Sequence, residues 1–301
     1  MKNKALKRLI YGLLVSLASL PCFSYAISPS FVQDTITNSG NKIKTIIVDP
    51  GHGGAHSGAG HFSQGASGSY SLERNVTLAI AFKLQKAIEK DVNGVKVVLT
   101  RTTDEDVNWQ KRADIANENH GDLFISLHCN SLPGRRIREV VGHKHGKPIY
   151  RTTEVADRSG KGVLLLVYGA WRTKEEEKAI KENLIEGDTE MNTNPDPNDP
   201  ESIILMNEYK RKYRKQSVHL AELLNTEFTE TDGRHSDGIR EQGILVLCHS
   251  AMPAVLVETG YINNPDDEAY LNSEAGQDEI VASIVRAIKN YKDEVEQVTQ
   301  Q

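Results

Sequence analysis

Four residues of the sequence have the types and positions expected of a metal-dependent active site. His52, His128 and Glu258 each stand at or just past the end of an apolar, strand-like run, and Glu73 opens an amphipathic segment. In α/β sheets, ligands bind beyond the carboxyl ends of the strands, so these side chains are expected at one edge of a sheet. Two histidines and a carboxylate are the protein ligands of a catalytic zinc that keeps a fourth position for water.

The chemistry that such a set supports is the hydrolysis of an amide. Zinc lowers the pKa of its bound water and polarises a carbonyl, while a nearby carboxylate takes the water's proton and passes it to the leaving nitrogen. Glu258 is the candidate for that carboxylate. Residue type and spacing leave other interpretations open: a strand-end histidine is often a structural hydrogen-bonding residue, and a glutamate in a first helical turn also complements the helix macrodipole.

The segment around His52, "IIVDPGHGG", adds three glycines to the first of these strand ends. Glycine permits unusual backbone dihedrals and lets the chain pack closely around a metal. Glycine loops after strands also bind phosphate, but the Walker pattern of glycine, lysine and hydroxyl is absent from the sequence. The loop therefore favours a metal site over a phosphate site.

Apolar runs and helical periodicity alternate along the chain. Strands are predicted for the apolar runs "NKIKTIIVD", "GVKVVLTR", "DLFISLHCN", "GVLLLVYG", "GILVL" and "PAVLVETG". Helices are predicted after a Ser71 cap, at about 108–119, over 202–228 and over 280–291. Because most of the strands are continuously apolar, we predict an α/β fold: a single domain with a mostly parallel or mixed central sheet flanked by helices on both faces.

The first 26 residues have a basic start, an apolar run and a small-x-small ending at Ala26, which predict a secretory signal peptide. A short lead (27–43), a catalytic domain (44–294) and a tail (295–301) follow. No later run is long enough for a membrane span, so we expect a secreted, periplasmic protein. The formal net charge of -5 argues against nucleic-acid binding.

Four ordered motifs, "IIVDPGHGG", "LERN", "ISLHCN" and "PAVLVETGYINN", resemble those of the zinc-dependent N-acetylmuramoyl-L-alanine amidases, the type 3 amidase family of bacterial cell-wall remodelling. The resemblance extends from about Lys44 to about Tyr291. It implies one Zn²⁺ bound by His52, Glu73 and His128, with Glu258 as the catalytic carboxylate. The implied substrate is peptidoglycan, and the implied bond joins the lactyl group of N-acetylmuramic acid to L-alanine.

A strongly charged stretch, "YGAWRTKEEEKAIKENLIEGD", follows the fourth predicted strand. One interpretation is a solvated surface helix. The segment at about 170–202 also lies where division-associated amidases carry an insert that occludes the zinc, and "PDPNDPESIIL" resembles the return from that insert. The match of "KEN" implies Glu182 as a regulatory fourth metal ligand. It also implies an activator protein that displaces the insert, and a role in daughter-cell separation.

The other histidines are interpreted as bystanders. His56 and His61 are rival ligands in the glycine-rich loop and are interpreted as loop residues. His143 and His145 are expected to face solvent, because they lie in a basic stretch, Gly134 to Lys147. That stretch either meets an anionic polymer or is a solvated loop, and the loop interpretation is favoured. His249 follows an apolar run and is a candidate for lining the cleft.

Cys129 and Cys248 each close an apolar run and are expected to be buried free thiols, although export permits a bridge. A cysteine nucleophile would need a paired histidine, and His128 is better explained by the metal. Arg101 and Asp104 resemble a recurring "TR…D" feature of the family and are interpreted as structural or cleft-shaping. Two functions compete with the amidase: a zinc peptidase acting within the stem peptide, and a non-catalytic wall-binding module.

Overall fold

The computed structural model describes residues 42–54, 64–169 and 200–297. The predicted leader, most of the predicted insert with Glu182, and the loop histidines His56 and His61 lie outside these residues. Within the described part of the chain, no helix is both long and apolar enough to cross a membrane.

Strands and helices alternate through the described residues. The strands are β1 (Thr45–Pro50), β2 (Lys96–Leu99), β3 (Leu123–Asn130), β4 (Arg135–Lys144), β5 (Lys147–Val155), β6 (Val163–Tyr168), β7 (Ser236–Gln242) and β8 (Ala254–Tyr261). The helices are α1 (Glu73–Asp91), α2 (Trp109–Glu118), α3 (Pro200–Thr226), α4 (Leu245–Cys248), α5 (Pro265–Asn272) and α6 (Glu274–Gln297). A π-helical turn, Glu227–Thr231, continues α3.

Six strands form the central sheet in the order β2-β1-β3-β8-β6-β7. β1, β2, β3 and β8 run parallel, β6 is antiparallel to β8, and β7 is parallel to β6. This confirms the predicted α/β class with a mostly parallel, mixed sheet. The carboxyl ends of β1, β3 and β8 therefore meet at one edge, which we call the carboxyl edge. β6 runs the other way and ends at the opposite edge.

Helices cover both faces of the sheet, and the strands β1, β3, β6 and β8 are almost completely buried. One core cluster joins β1, β3, β6 and β8 to α1, α3 and α6 through Ile46, Ile80, Leu84, Leu224 and Ile284, each with 0% exposure. The other cluster joins the opposite face, which includes Phe124, to α2 and α4. Burial on both faces explains why the strands are continuous apolar runs rather than alternating ones.

Two local predictions were wrong. The run "GILVL" forms the short helix α4, whereas the preceding strand is Ser236–Gln242. A short buried apolar run has no periodicity that separates strand from helix, which explains the error. The N-cap of α1 is Leu72 rather than Ser71. The Ser71 N–H and hydroxyl instead donate to Glu268 Oε1 at 3.0 and 2.8 Å.

The basic stretch after β3 is not a loop, and this corrects the favoured interpretation. It forms most of an antiparallel hairpin, β4 and β5, which is a two-stranded sheet separate from the central one. His145 and Gly146 connect the strands, with φ of 50° and 74°. Two positive φ values are typical of the two-residue turn that matches the twist of a hairpin. We call residues Arg135–Val155 the basic hairpin.

Candidate metal centre

Three elements bring the predicted ligands together at the carboxyl edge. His52 follows β1, Glu73 is the first residue of α1, and His128 lies near the end of β3. The ligand atoms of these three side chains lie within 4.8 Å of one another. Among the described residues, these three form the group of histidine and acidic side chains that is close enough together to hold a metal ion.

Glu73 lies at the centre of the cluster and is almost completely buried. Its Oε1 is 3.0 Å from His128 Nδ1 and 3.2 Å from His52 Nε2, and it accepts the Cys129 N–H at 2.9 Å. Its Oε2 accepts the Ala66 N–H at 2.6 Å. Burial alone would raise the pKa of Glu73, but the hydrogen bonds and charges of the two histidines hold that pKa well below its ordinary value.

The backbone around His52 is held in a conformation that few residues adopt. His52 has a φ of 59°, and Gly53 and Gly54 follow with φ of 140° and 82°. A left-handed φ is uncommon for a non-glycine residue and persists only where neighbouring structure imposes it. Here the neighbouring structure is a set of buried arginines that bind the loop carbonyls.

Arg112, on α2, provides the first set of these contacts. Its Nη2 donates to the His52 carbonyl at 2.6 Å, and its Nη1 donates to the Pro50 carbonyl and to Asp49 Oδ1 at the same distance. Asp49 also accepts the hydroxyls of Thr100 and Ser126 at 2.5 and 2.6 Å. Burial would raise the pKa of Asp49, but Arg112 and these hydroxyls lower it below its ordinary value.

Arg101 provides the second set. Its Nη2 donates to the carbonyls of Gly51 and Arg74 at 2.9 and 2.7 Å, and its Nε donates to the Pro50 carbonyl at 2.9 Å. Asp104 accepts the Gly54 N–H at 2.9 Å and lies 3.2 Å from the Arg74 guanidinium. Arg101 and Asp104 therefore fix the loop and the start of α1, as the structural interpretation of these two residues predicted.

Glu258 lies on the strand next to that of His128. The register of β3 and β8 pairs the two residues directly, so both side chains point to the same face of the sheet. Glu258 Oε2 is buried and has no hydrogen-bond partner among the described residues. Burial raises the pKa of Glu258 to about 7, although His128 opposes this shift. An acidic side chain of this kind beside a ligand cluster indicates a functional group.

Two glycines provide the space that the cluster occupies. A Cβ on Gly51 would lie 2.4 Å from the His128 ring, and one on Gly65 would lie 2.6 Å from Glu73 Oε2. The donor set of two imidazoles and one carboxylate is that of a catalytic zinc site with an open fourth position. The residues present therefore fit Zn²⁺, and the unpartnered Glu258 oxygen beside His128 fits a group that handles a proton at that open position.

The other candidates among the described residues are not members of this cluster. His143 and His145 are exposed on the basic hairpin, as predicted. The ring of His249 packs against Trp109 at 4.8 Å, at the side of α2. Cys129 and Cys248 are buried free thiols, as expected. Because neighbouring side chains of a strand point to opposite faces, Cys129 enters the core that α1 covers, and burial raises the pKa of its thiol well above the ordinary value.

The family model described as N-acetylmuramoyl-L-alanine amidase, Amidase_3, matches residues 46–290 of the chain. The chain belongs to this amidase family. The match includes the three residues of the cluster and Glu258. It therefore confirms the resemblance to the type 3 amidase family that the four sequence motifs indicated.

Named relatives of the amidase family cover most of the chain. One relative is a protein of Buchnera aphidicola subsp. Baizongia pistaciae that carries the name N-acetylmuramoyl-L-alanine amidase. The two sequences are 30% identical over 246 residues, which are 82% of this chain and 95% of that protein. "Probable cell wall amidase LytH" of Staphylococcus epidermidis is 26% identical over 259 residues, 86% of this chain. The matched region spans only 62% of the length of LytH.

Solved structures of amidases share the fold. The N-acetylmuramyl-L-alanine amidase Ami1 of Mycobacterium smegmatis aligns with a TM-score of 0.57 at 18% identity, over 85% of this chain and all of that chain. At this identity the likeness concerns the fold alone. It agrees with the mixed sheet and its two helical layers.

Sequence reasoning missed the residues that support the cluster of His52, Glu73 and His128. Arg112 and Asp49 were not singled out, although an acid at the end of an apolar strand already indicates a buried partner. Glu268, on α5, was missed as well; it accepts the backbone N–H groups of Ser69, Tyr70 and Ser71 and so fixes the approach to Glu73. Its partners are about two hundred positions away, and no local pattern reveals such a contact.

Proposed function

We propose that the protein hydrolyses the amide between the lactyl group of N-acetylmuramic acid and L-alanine in peptidoglycan, with one Zn²⁺ bound by His52, Glu73 and His128. The observation that carries this proposal is the convergence of these three side chains at the carboxyl edge, with Glu258 in register beside His128. Membership in the amidase family supports the choice of bond.

Each residue has a distinct task in this reaction. When bound, zinc supplies a Lewis acid that activates water and polarises the substrate carbonyl. Glu258 accepts a proton from the attacking water and passes it to the alanine nitrogen as the C–N bond breaks. Arg112 and Arg101 hold the carbonyls of the His52 loop, so the imidazole stays in place through the reaction.

Product identity tests the proposal. Purified peptidoglycan is incubated with zinc-loaded protein, and the released fragments are identified by mass spectrometry, with and without a chelator. We expect free stem peptides that begin at L-alanine, and no release in the chelator. Shortened stems still attached to sugar would instead identify a peptidase, and intact peptidoglycan bound by the protein would identify a wall-binding module.

Glu258→Gln is the matched variant for the proton-transfer role. The substitution keeps the shape of the side chain but cannot accept the proton, so we expect release to fall by about 10²–10⁴-fold. Zinc content, measured by atomic absorption, should stay at one ion per chain. Loss of zinc together with activity would instead place Glu258 among the ligands.

We further propose that the native chain is autoinhibited, with Glu182 as the removable fourth ligand of the metal. A carboxylate at the open position excludes the hydrolytic water, and a partner protein that binds the insert shifts the equilibrium toward the open state. The support is the "KEN" match in the sequence, because Glu182 lies outside the described residues. Daughter-cell separation is the cellular role that this regulation suits.

The topology sets a geometric condition on this regulation. β6 ends at Tyr168, at the edge of the sheet opposite the metal centre. Glu182 lies fourteen positions after Tyr168, and at about 3.3–3.6 Å per residue this length of chain reaches at most about 50 Å. The eight residues of β8 span about 26 Å at roughly 3.3 Å each, so the chain is long enough to return to the metal.

Glu182→Ala tests the autoinhibition. The variant loses the carboxylate that competes with water, so we expect more stem peptide released than by the native chain. Glu186→Ala is the control, because it removes a nearby charge and leaves the "KEN" motif intact. Equal or lower release from Glu182→Ala would contradict the autoinhibition and leave the amidase activity in place.

The place of action follows from the substrate and the leader. We propose that the protein is exported by residues 1–26 and acts on the wall from the periplasm. An activator protein that displaces the insert is the expected partner. Fractionation of cells that express the full chain tests the export, since a cytoplasmic product that keeps its leader would contradict it.

A further inference from the structure

The basic hairpin is a feature that the catalytic chemistry does not use. All its strand residues are exposed except Ile137, Gly142 and Val155, which are half-buried. Both faces of the hairpin are therefore available to a partner. A two-stranded hairpin is at best marginally stable alone in water, so a bound partner would stabilise it.

The hairpin is strongly positive, in contrast to the chain as a whole. Residues 135–155 carry six lysines and arginines and two glutamates, a formal net charge of +4, whereas the whole chain has -5. All six of these cations are exposed strand residues: Arg135, Arg136, Arg138, Lys144, Lys147 and Arg151. A concentrated positive surface on an acidic protein selects an anionic partner.

One face of the hairpin combines charge with apolar surface. The Arg138 guanidinium stacks 3.7 Å from the centre of the Tyr150 ring. Val140 is paired with Tyr150 across the strands, and the two side chains are 52% and 44% exposed. Guanidinium groups bind carboxylates in a bidentate manner, and an adjacent aromatic ring offers an apolar surface to the rest of the ligand.

The base of the hairpin is held at the carboxyl edge of the sheet. The Asn263 Nδ2 group donates to the carbonyls of Leu132, which leads into β4, and Asp157, which follows β5, at 3.0 and 2.9 Å. Asn263 follows β8, the strand of Glu258, and β4 follows β3, the strand of His128. The hairpin therefore begins at the carboxyl edge, beside the residues that would bind the metal.

We propose that the basic hairpin is a docking arm for peptidoglycan, whose stem-peptide carboxylates bind its arginines. The inference rests on the proposed function. A stem peptide that is joined to sugar through its N-terminus ends in a free carboxylate, so the polymer carries repeated negative charges. Because the arm and the metal centre share one edge, binding by the arm raises the local concentration of cleavable bonds.

The experiment measures co-sedimentation with insoluble, purified peptidoglycan. All proteins carry Glu258→Gln, so that the polymer stays intact during the measurement. The test variant replaces three exposed arginines of the hairpin, and the control replaces three exposed lysines on α1 and α6. The test set is Arg136→Gln, Arg138→Gln and Arg151→Gln, and the control set is Lys86→Gln, Lys90→Gln and Lys289→Gln.

We expect the hairpin variant to bind about tenfold more weakly, since it loses three exposed charge contacts that each contribute modestly. The control should bind as the parent does, and added salt should narrow the difference. Equal binding of the test and control proteins would overturn the proposal. So would preferential, arginine-dependent binding to vesicles of anionic phospholipid over peptidoglycan, which would make the arm a membrane contact.

A second measurement separates this proposal from the proposed function. Proteins with Glu258 intact are assayed on a soluble muramyl peptide, which has a single stem and so cannot bind the arm through one stem while another is cleaved. The hairpin variant should cleave it at the parental rate and cleave insoluble peptidoglycan more slowly. If the parent fails to cleave either substrate, the amidase function fails, and the sedimentation result still decides the docking arm.

Discussion

The His52 loop and the basic hairpin leave the same edge of the sheet but are held in opposite ways. Buried arginines bind the carbonyls of the His52 loop, and its glycines have no room for a Cβ. The hairpin is exposed along both strands, and a Cβ on Gly142 would meet nothing within 4 Å. A metal site needs fixed ligands, whereas a surface that follows an irregular polymer benefits from few internal constraints.

The largest expected difference between the two regions concerns buried charge. Asp49→Asn leaves the Arg112 guanidinium buried without its carboxylate, and breaking a buried pair in this way costs about 3–5 kcal/mol. We expect a loss of this order in the free energy of unfolding, measured by chemical denaturation. Asp157→Asn, at the exposed base of the hairpin, is the control and should change stability little. Similar losses in the free energy of unfolding from both substitutions would show that the two regions do not differ in their dependence on buried charge.

Crowding around the ligands gives the next effect. Gly51→Ala places a methyl group 2.4 Å from the His128 ring, so the imidazole must move. A displaced ligand typically costs about 10–100-fold in metal affinity, which a competition titration with a zinc indicator measures. Gly142→Ala in the hairpin is the control and should leave zinc affinity unchanged. An unchanged zinc affinity in Gly51→Ala would mean that the His52 loop moves to accommodate the methyl group more easily than its hydrogen bonds indicate.

The sequence predicts the residues of the metal centre, but it does not predict the arginine that supports them or the hairpin. His52, Glu73, His128 and Glu258 stand at the ends of recognisable strands and helices, so topology alone brings them to one edge. The contacts of Arg112 could not be predicted from the sequence. The helix α2 has several charged residues, and its periodicity does not tell which of them is buried. The hairpin was missed since its turn, His145 and Gly146, lacks the asparagine or aspartate that usually marks such turns.

Low pH should selectively weaken the contribution of Asp49, which lies beside the His52 loop, to the stability of the fold. The folded-state pKa of Asp49 is below its ordinary value of 3.8, so its ionised form stabilises the fold above that pH. This contribution is lost as the pH falls through the lower, folded-state pKa. We therefore expect the difference in unfolding free energy between the parent and Asp49→Asn to be constant from pH 7 to about 5 and to narrow below about 4. A difference that grows in acid would contradict this ionisation.

The smallest expected effect concerns an arginine, the same kind of residue that holds the His52 loop. Arg138 stacks on Tyr150 in solvent, and an exposed cation–π contact contributes about 0.5–1 kcal/mol. Arg138→Gln should therefore lower the free energy of unfolding by no more than this. Arg112→Gln, which removes a guanidinium bound to three backbone carbonyls and Asp49, should cost several times as much. A large loss from Arg138→Gln would mean that the hairpin contributes to the fold itself, and its weakened binding to peptidoglycan could then no longer be assigned to lost charge.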